Sequence, residues 1–287
     1  IVKASAGGGG RGMRVVEKME DLEKSFLAAE SEALSAFGDG TLYMDKYIKN
    51  PRHIEVQVIG DSFGNVVHVG ERDCSMQRRH QKLIEESPAI ALDDKTRARL
   101  LDIAVKATKF IGYENAGTFE FLLDADKNFY FMEMNTRLQV EHCVSEMVSG
   151  IDIIEWMIRV AEGEKLFDQN ALSFKGHSIE CRITAEDPVK FIPSPGKITK
   201  YIIPGGRNVR MDSHAYQGYS VPPHYDSMIG KLIVWGEDRT RAIAKMKQAL
   251  SELQIEGIKT VRDFHLNMMD NTDFIENRFD TNYLSRY

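Results

Sequence analysis

The sequence predicts an α+β fold, in which hairpins of antiparallel strands and helices occupy separate stretches of the chain. Two observations support this prediction. Pairs of short apolar runs are joined by turn sequences rich in Asp, Asn and Gly, as in 53–69 and 118–134. Segments with helical periodicity separate these pairs and do not alternate with single strands, so a doubly wound parallel sheet is not expected. The length of 287 residues indicates about two domains.

The predicted elements follow from residue type and spacing. Strands are indicated by short apolar runs bounded by Gly, Pro, Asn or Asp, and helices by apolar residues three or four positions apart. Strands are expected at 1–5, 41–48, 53–59, 66–69, 118–123, 129–134, 177–183, 197–203 and 231–234. Helices are expected at 21–37, 93–111, 151–163, 240–253 and 263–269. The periodic pattern fades near 167–175, where we expect a domain boundary.

The N-terminus is expected to be truncated. The chain begins at Ile1 within a strand that is already under way, and this strand leads directly into a run of glycines. Natural domains seldom begin one step from such a loop.

Composition and charge narrow the class of protein. Asp and Glu total 43 against 37 for Lys and Arg, and the net charge of −6 excludes a globally basic nucleic-acid binder. No apolar run reaches the roughly 18 residues that cross a bilayer, and no signal-like segment opens the chain. Cys74, Cys143 and Cys181 form no C-x-x-C pair, so a disulfide framework is not expected and the reducing cytoplasm is the expected compartment.

A glycine run at 7–12 indicates a phosphate-binding loop. Backbone N–H groups close on phosphate oxygens only where side chains do not intervene. The run has neither the Gly-Lys-Ser/Thr ending of a P-loop nor the G-x-G-x-x-G pattern of a Rossmann fold. Lys3 precedes it and supplies a cation. A flexible linker is the alternative, but apolar strand residues flank the run, so we favour phosphate binding.

Polar residues occupy every second position at the end of the predicted strand 129–134. They are Glu133, Asn135, Arg137, Gln139 and Glu141. In an extended chain these five side chains share one face. The apolar run at 129–132 predicts a strand buried on both faces, and a polar row that leaves such a strand indicates a binding or catalytic site.

Glu120 lies between aromatic residues on the partner strand, and in a hairpin it faces Glu133. Two opposed carboxylates in apolar surroundings repel one another and are costly to bury. A Mg²⁺ ion with Asn135 as a further oxygen ligand removes this conflict, because Mg²⁺ typically uses one or two carboxylates together with substrate phosphates. Salt bridges to Arg137 and Lys109 are the alternative.

Residues 78–82 (RRHQK) form a local cationic cluster. Acidic residues flank it, and no basic stretch with interleaved aromatic residues accompanies it. We interpret the cluster as a contact surface for a small anion or a nucleotide. A nucleic-acid-binding module is the alternative, which the net charge disfavours. The eight histidines form no H-x₃-H pair, so spacing alone does not predict a zinc site.

Five motifs together resemble the biotin carboxylases, enzymes of the ATP-grasp family that carboxylate carrier-bound biotin. The motifs are residues 3–10 (KASAGGGG), 50–55 (NPRHIE), 71–82 (ERDCSMQRRHQK), 133–141 (EMNTRLQVE) and 180–183 (ECRI). The resemblance extends over the whole chain and is greatest to the bacterial acetyl-CoA carboxylase subunit. It departs at Asp45, where the family usually has Glu.

The resemblance implies a role for each matching residue. Lys3, Gly9 and Gly10 would hold ATP phosphates under a lid, Asp45, Lys46, Tyr47 and Ile48 would contact adenine, and His53, Gln77 and His80 would lie near the ribose. Glu120, Glu133 and Asn135 would carry the divalent ions. Lys82, Arg137, Gln139 and the backbone of Val140 would bind bicarbonate, Glu141 would remove its proton, and Arg182 would stabilise negative charge on biotin.

The resemblance also implies domains, cofactors and partners. The domains would be an ATP-grasp lid subdomain at 1–47 with the glycine-rich lid, an ATP-grasp core at 48–172, and a biotin carboxylase C-terminal domain of mixed strands and helices at 173–287. The cofactors would be ATP, Mg²⁺ or Mn²⁺, and biotin supplied by a biotin carboxyl carrier protein. Carboxyltransferase subunits and a second copy of the chain would be partners, and neither nucleic acid nor membrane would be bound.

The activity implied is ATP- and bicarbonate-dependent carboxylation of biotin through carboxyphosphate. This is the first half-reaction of acetyl-CoA carboxylase in fatty acid synthesis, and the equivalent part of pyruvate or propionyl-CoA carboxylase is the alternative. Family members carry a further domain before the position of Ile1, so activity of this chain alone is an open question.

Overall fold

The computed structural model describes residues 1–7 and 12–286 of the chain. The strands are, in chain order, β1 (Val2–Ala4), β2 (Met13–Arg14), β3 (Leu42–Met44), β4 (Arg52–Gly60), β5 (Val66–Arg78), β6 (Gln81–Ser87), β7 (Asn115–Leu123), β8 (Phe129–Asn135), β9 (His177–Thr184), β10 (Gly196–Lys197), β11 (Lys200–Ile202), β12 (Val209–Ser213), β13 (Ser220–Val221), β14 (Met228–Gly236) and β15 (Gln254–Glu256). The helices are α1 (Leu22–Phe37), α2 (Asp94–Phe110), α3 (His142–Ser149), α4 (Ile153–Ala161), α5 (Arg239–Glu252), α6 (Arg262–Met268), α7 (Thr272–Ile275) and α8 (Tyr283–Arg286).

The N-terminal part is a three-stranded sheet in the order β2-β1-β3, and α1 packs against it. Ala29 and Ala33 of α1 are fully buried, because only small side chains allow the helix to approach the sheet this closely. Gly12 begins the return strand with φ +70°, and a Cβ atom there would lie 2.7 Å from the Cβ of Ala4. The position therefore requires glycine for both its backbone conformation and its packing.

An eight-stranded sheet in the order β12-β14-β9-β6-β5-β4-β7-β8 forms the centre of the molecule. All its neighbouring strands are antiparallel. The α+β prediction is therefore confirmed. The sheet is continuous between the part before residue 172 and the part after it, since Ile84 of β6 pairs with Cys181 of β9.

Two helices cover the same face of this sheet. Residues Leu100 and Ala104 of α2 pack with Ile54, Val56 and Phe119 in one buried cluster. Helix α5 packs against β9 and β14 in a second cluster, which contains the apolar residues of β9. Asp93 and Asp238 cap these two helices by accepting hydrogen bonds from the backbone N–H groups of the first turn. The apolar side chains of the central strands thus point toward α2 and α5, and α3 packs against the sheet from β5 to β14.

The structure corrects two predictions for the segment 129–141. Strand β8 is an edge strand with its side chains half-buried or exposed, and Phe131 is 60% exposed, so the prediction of a strand buried on both faces is wrong. The strand also ends at Asn135, and residues 136–141 form a turn that leads into α3. A continuous extended face from Glu133 to Glu141 is therefore not present.

The other differences concern short or irregular elements. The sequence analysis missed β6, β12 and α3 entirely and placed the end of β5 nine residues too early, at 69 instead of Arg78. No helix in residues 1–7 and 12–286 is long and apolar enough to span a membrane.

Candidate functional site

Charged and amide side chains lie on the face of the large sheet opposite α2 and α5, which we call the polar face. Glu55 and Gln57 alternate in β4 with apolar residues that point toward α2, and Glu180 and Arg182 alternate in β9 with apolar residues that point toward α5. Strand periodicity thus places these four side chains on the polar face, beneath α3. All are buried except Arg182, which is half-buried.

Lys82 of β6 lies at the centre of the polar face. Its Nζ donates to Glu55, to Glu141 Oε1 at 2.6 Å and to Glu120 Oε1 at 3.3 Å. Burial alone would lower the pKa of the Lys82 amine, but the carboxylates of Glu55 and Glu141 outweigh burial and raise this pKa well above its ordinary value. Lys82 is therefore a permanent cation that three carboxylates hold in place.

Glu141 lies between two cations. Its side chain is 2% exposed, Oε1 accepts from Lys82, and Oε2 accepts from Arg182 Nη2 at 2.9 Å. Burial would raise the pKa of Glu141, but Lys82 and Arg182 outweigh it and hold the pKa well below its usual range. Glu141 is consequently ionised, and its oxygens lie where a small anion on the same cations would meet them.

Arg182 connects Glu141 to Glu85, because its Nε donates to Glu85 Oε1 at 2.6 Å. Glu180 lies directly opposite Glu85 in the β6–β9 pairing and is fully buried. Burial and the charge of Glu85 raise the pKa of Glu180 well above its ordinary value. Glu180 is therefore a neutral carboxylic acid, and Glu85 is the charged partner of Arg182.

The sequence-predicted metal residues meet at the start of the β7–β8 hairpin. Glu120 and Glu133 are register partners, and Asn135 Nδ2 donates to Glu120 Oε1 at 2.8 Å and to Glu133 Oε1 at 3.4 Å. The predicted opposition of the two carboxylates is confirmed. These side chains offer only oxygen and amide groups, as Mg²⁺ requires, and a single amide now joins two like charges that a cation would neutralise. The residues present therefore fit a Mg²⁺ ion.

Glu120 also has partners on the protein side of the site. His53 Nε2 lies 2.7 Å from Glu120 Oε2, and Gln139 Nε2 donates to Oε1 at 2.7 Å. Burial opposes the charge, but His53 outweighs it and lowers the pKa of Glu120 to about 2. Among the described residues neither Arg137 nor Lys109 forms an ion pair with Glu120 or Glu133, so the alternative of structural salt bridges is not supported.

Gln139 is oriented by Arg72, a fully buried arginine. Arg72 Nη2 donates to Gln139 Oε1 at 3.2 Å, and its other donors reach β4, β7 and α3. The amide nitrogen of Gln139 is thereby turned toward Glu120. Val140 lies beside it, and its carbonyl accepts from Lys231 of β14. Arg137 is exposed at the edge, where Nη2 donates to Asn135 Oδ1 at 3.2 Å.

The predicted nucleotide residues fall into two groups. His53 and Gln77 are neighbours, with Nδ1 and Nε2 3.4 Å apart, and both border the carboxylates described above. Lys3 lies in the N-terminal sheet, where Nζ donates to Asp45 Oδ2 at 3.0 Å. The Asp45 carboxylate outweighs burial and raises the pKa of Lys3.

The remaining predicted residues have fewer contacts. Lys46 is exposed and Tyr47 and Ile48 are half-buried in the segment that leaves the N-terminal sheet. His80 lies in the exposed turn between β5 and β6 with φ 64°. Gly9 and Gly10 lie outside the described residues.

The cationic cluster at 78–82 is not a single surface. Arg78 stacks over Phe191 with its guanidinium carbon 4.4 Å from the ring centroid, whereas Lys82 turns inward among the carboxylates. Arg79 and His80 are exposed in the turn. The arrangement supports a small-anion contact at Lys82 and does not support a nucleic-acid interface at this cluster.

Sequence reasoning assigned no role to Glu55, Arg72, Glu85 or Lys231. One available signal was the alternation of His53, Glu55 and Gln57 with apolar residues in 53–58, which places three polar groups on one face of a buried strand. No local signal indicates Lys231, whose partner Val140 is 91 residues away.

Comparisons with known proteins agree with the fold and the site. A family model described as the ATP binding domain of the carbamoyl-phosphate synthase L chain matches residues 1–169, and a model of the biotin carboxylase C-terminal domain matches residues 180–286. The chain is similar to the biotin carboxylase of Nostoc sp., with 54% identity over 99% of this chain and 64% of the relative.

Two solved structures have the same fold. A biotin carboxylase from Campylobacter jejuni, described as a complex with a β,γ-ATP compound, has a TM-score of 0.98 and 75% identity, covering 100% of this chain and 64% of that one. The biotin carboxylase domain dimer of Hydrogenobacter thermophilus 2-oxoglutarate carboxylase, with MgADP, ADP and bicarbonate, has a TM-score of 0.95 and 50% identity, covering 99% of this chain and 63% of that one. The chain therefore spans about 64% of the length of the relatives that it matches.

Proposed function

The chain belongs to the biotin carboxylase family, and from this premise we propose that it provides the catalytic residues for ATP-dependent carboxylation of biotin. One observation carries the proposal: Glu141, a buried ionised carboxylate, lies between Lys82 and Arg182. A base flanked by two cations suits a substrate that is an anion and must also lose a proton, and bicarbonate has both properties.

The same residues explain how bicarbonate becomes a nucleophile. Binding to Lys82 and Arg137 stabilises the doubly charged form that results from deprotonation, which compensates for the low basicity of Glu141. Glu141 takes the hydroxyl proton, the freed oxygen attacks the γ-phosphorus of ATP, and ADP leaves as carboxyphosphate forms. Gln139, fixed by Arg72, would hold a further bicarbonate oxygen by its amide nitrogen.

Glu120, Glu133 and Asn135 would hold the divalent cation at the nucleotide end of the site. A bound Mg²⁺ would neutralise negative charge on the transferring phosphoryl group. Lys3 and the glycine run at 7–12 would hold the phosphates, and 45–48 the adenine, with His53, Gln77 and His80 near the ribose.

Arg182 would act in the second step. Carboxyphosphate breaks down to CO₂ and phosphate, and the ureido nitrogen of biotin must lose its proton before it attacks CO₂. Negative charge then develops on the ureido oxygen, where a guanidinium stabilises it. Arg182 is rigid because Glu85 and Glu141 both hold it, so it would be oriented before biotin arrives.

For the whole protein we propose the first half-reaction of acetyl-CoA carboxylase in fatty acid synthesis. Biotin would arrive on a carrier protein, carboxyltransferase subunits would complete the reaction, the chain would form a homodimer, and the compartment would be the cytoplasm. A role in pyruvate or propionyl-CoA carboxylase is the second candidate. It is supported by the 50% identity to a 2-oxoglutarate carboxylase domain, because that value is close to the 54% shared with the Nostoc biotin carboxylase.

The test is bicarbonate-dependent ATP hydrolysis with free biotin, measured on this chain and on an N-terminally extended one. Arg137→Ala is expected to abolish the bicarbonate-dependent part, because Arg137 would bind that substrate. Arg241→Ala, which removes another exposed arginine on α5, is the matched control and should retain it. Undiminished bicarbonate-dependent turnover in Arg137→Ala would contradict the proposed role.

A further inference from the structure

Four potential metal ligands converge where α3 meets β12, outside the polar face residues that bind substrate in our proposal. They are His142, Cys143 and Glu146 of α3 and Asp212 of β12. Cys143 Sγ lies 3.5 Å from His142 Nε2 and 3.3 Å from Asp212 Oδ2, and His142 Nε2 lies 3.9 Å from Glu146 Oε2. We call these four residues the α3–β12 cluster. Sequence spacing did not indicate it, because its ligands come from two distant segments.

The hydrogen bonding of His142 leaves one ring nitrogen free to bind a metal. Nδ1 lies 2.8 Å from the carbonyl oxygen of Gln139, and since a carbonyl only accepts, Nδ1 carries the proton. Nε2 then has its lone pair directed at the sulfur and the carboxylate. Ligating histidines in zinc sites commonly donate their other N–H to a carbonyl in this way.

The separations of the ligand atoms suit a tetrahedral ion. Zinc–nitrogen and zinc–sulfur bonds of about 2.0 and 2.3 Å place neighbouring ligand atoms about 3.5 Å apart. The His142–Cys143 and Cys143–Asp212 separations match this value, and the His142–Glu146 separation exceeds it by only a few tenths of an ångström. The set of imidazole, thiol and carboxylate favours zinc over Mg²⁺, which prefers oxygen ligands alone.

Two cations now balance the carboxylates of the cluster. Arg210 donates to Glu146 Oε2 at 2.6 Å and to both oxygens of Asp212 at 2.8 and 2.7 Å. Lys231 Nζ lies 4.0 Å from Asp212 Oδ2 and is held by the carbonyl of Val140. The Arg210 side chain is 32% exposed and reaches solvent, whereas Lys231 is 11% exposed. Arg210 is therefore the cation that an incoming metal ion replaces.

We propose that the α3–β12 cluster binds a zinc-class divalent cation in exchange for Arg210. The metal–sulfur bond forms as the Cys143 thiol loses its proton to solvent, and the Arg210 guanidinium moves from the two carboxylates into water. Because α3 begins directly after Glu141, the bound ion joins the first turn of this helix to β12. The site is independent of the activity proposed above.

The experiment is a titration of the full chain with Cd²⁺ and Zn²⁺, following the ultraviolet charge-transfer band of a cadmium–thiolate bond. The band is expected with the unaltered chain and absent in Cys143→Ala. Cys181→Ala, which removes another buried cysteine from the apolar side of β9, is the matched control and keeps the band. A band absent from the unaltered chain, or one that persists without Cys143, overturns the site.

The role of Arg210 is tested separately by competition between the protein and a zinc indicator. Arg210→Gln removes the competing cation and is expected to tighten zinc binding at least about tenfold, or 1.4 kcal/mol. His142→Gln loses one ligand and is expected to weaken binding by more than about 10-fold. Weaker binding in Arg210→Gln contradicts the exchange, and unchanged binding in His142→Gln contradicts the ligand set.

Discussion

Replacing Glu141 by Gln separates the charge of this residue from its shape. The amide keeps the size of the side chain but can neither accept a proton nor balance Lys82 and Arg182. Breaking a buried ion pair costs about 3–5 kcal/mol when the remaining charge has no other partner. Here Lys82 keeps Glu55 and Glu120, and Arg182 keeps Glu85, so a loss of about 1–3 kcal/mol in the free energy of unfolding is expected at pH 7.

The pH dependence of this loss has a definite sign. The pKa of Glu141 is lower in the folded chain than its ordinary value of 4.5, so its contribution is complete above about pH 4.5 and decreases as the pH falls toward the folded-state pKa. The difference in unfolding free energy between the unaltered chain and Glu141→Gln should therefore shrink below about pH 4.5. Urea denaturation at several pH values measures it, with Glu155→Gln, an exposed glutamate, as the control.

Catalysis supplies the second measurement for the same variant. Loss of a general base lowers turnover roughly 10²- to 10⁴-fold, whereas the affinity for ATP should stay unchanged because the proposed nucleotide contacts remain. Bicarbonate-dependent ATP hydrolysis and equilibrium ATP binding report the two quantities. If Glu141→Gln keeps turnover within about threefold of the unaltered enzyme, the assignment of Glu141 as the base is refuted.

Three further predictions concern other parts of the chain. Glu133→Gln should weaken MgATP binding but leave metal-free ATP binding unchanged, and equal affinities for MgATP before and after the change would exclude Glu133 as a metal ligand. Gly12→Ala should destabilise the N-terminal sheet by about 1–3 kcal/mol because of its positive φ and the contact with Ala4, which limited proteolysis of that region would detect. Glu86, whose pKa is lowered to about 2 by bonds with His177 and Arg239 against the effect of burial, should on replacement by Gln cost up to about 3 kcal/mol at pH 7. That cost should fall between about pH 4.5 and 2, and a pH-independent cost in urea denaturation would contradict this origin.

The parts of the fold that sequence predicted are those with strong local patterns. Helices α1, α2 and α5 and the hairpin of β7 and β8 were found because their apolar periodicity and turn residues lie within a few positions of one another. Strand β6 (QKLIEES) was missed because its charged residues are buried, which no local pattern indicates. Helix α3 was missed because its eight residues are too few for a clear period and all six of its first seven buried residues include polar ones.

The site shows the same division. The opposition of Glu120 and Glu133 follows from hairpin register and was predicted, since both residues lie in one local unit. The period-two argument brought Gln139 and Glu141 to the site for the wrong reason. They approach Lys82 and Glu120 because the chain turns after Asn135 and enters α3, and the partners that fix them are 19 to 59 residues away in sequence.

The pattern of buried pairing indicates which cation receives an anionic substrate. Arg72 is fully buried and donates to five side chains, so none of its donors is available to a ligand. Lys82 and Arg182 are 13% and 17% exposed, and both share the carboxylate of Glu141. An anion that reaches them exchanges places with part of the Glu141 interaction and does not meet a vacant charge. Such an exchange brings the substrate and the base onto the same two cations, which is the geometry that proton transfer between them requires.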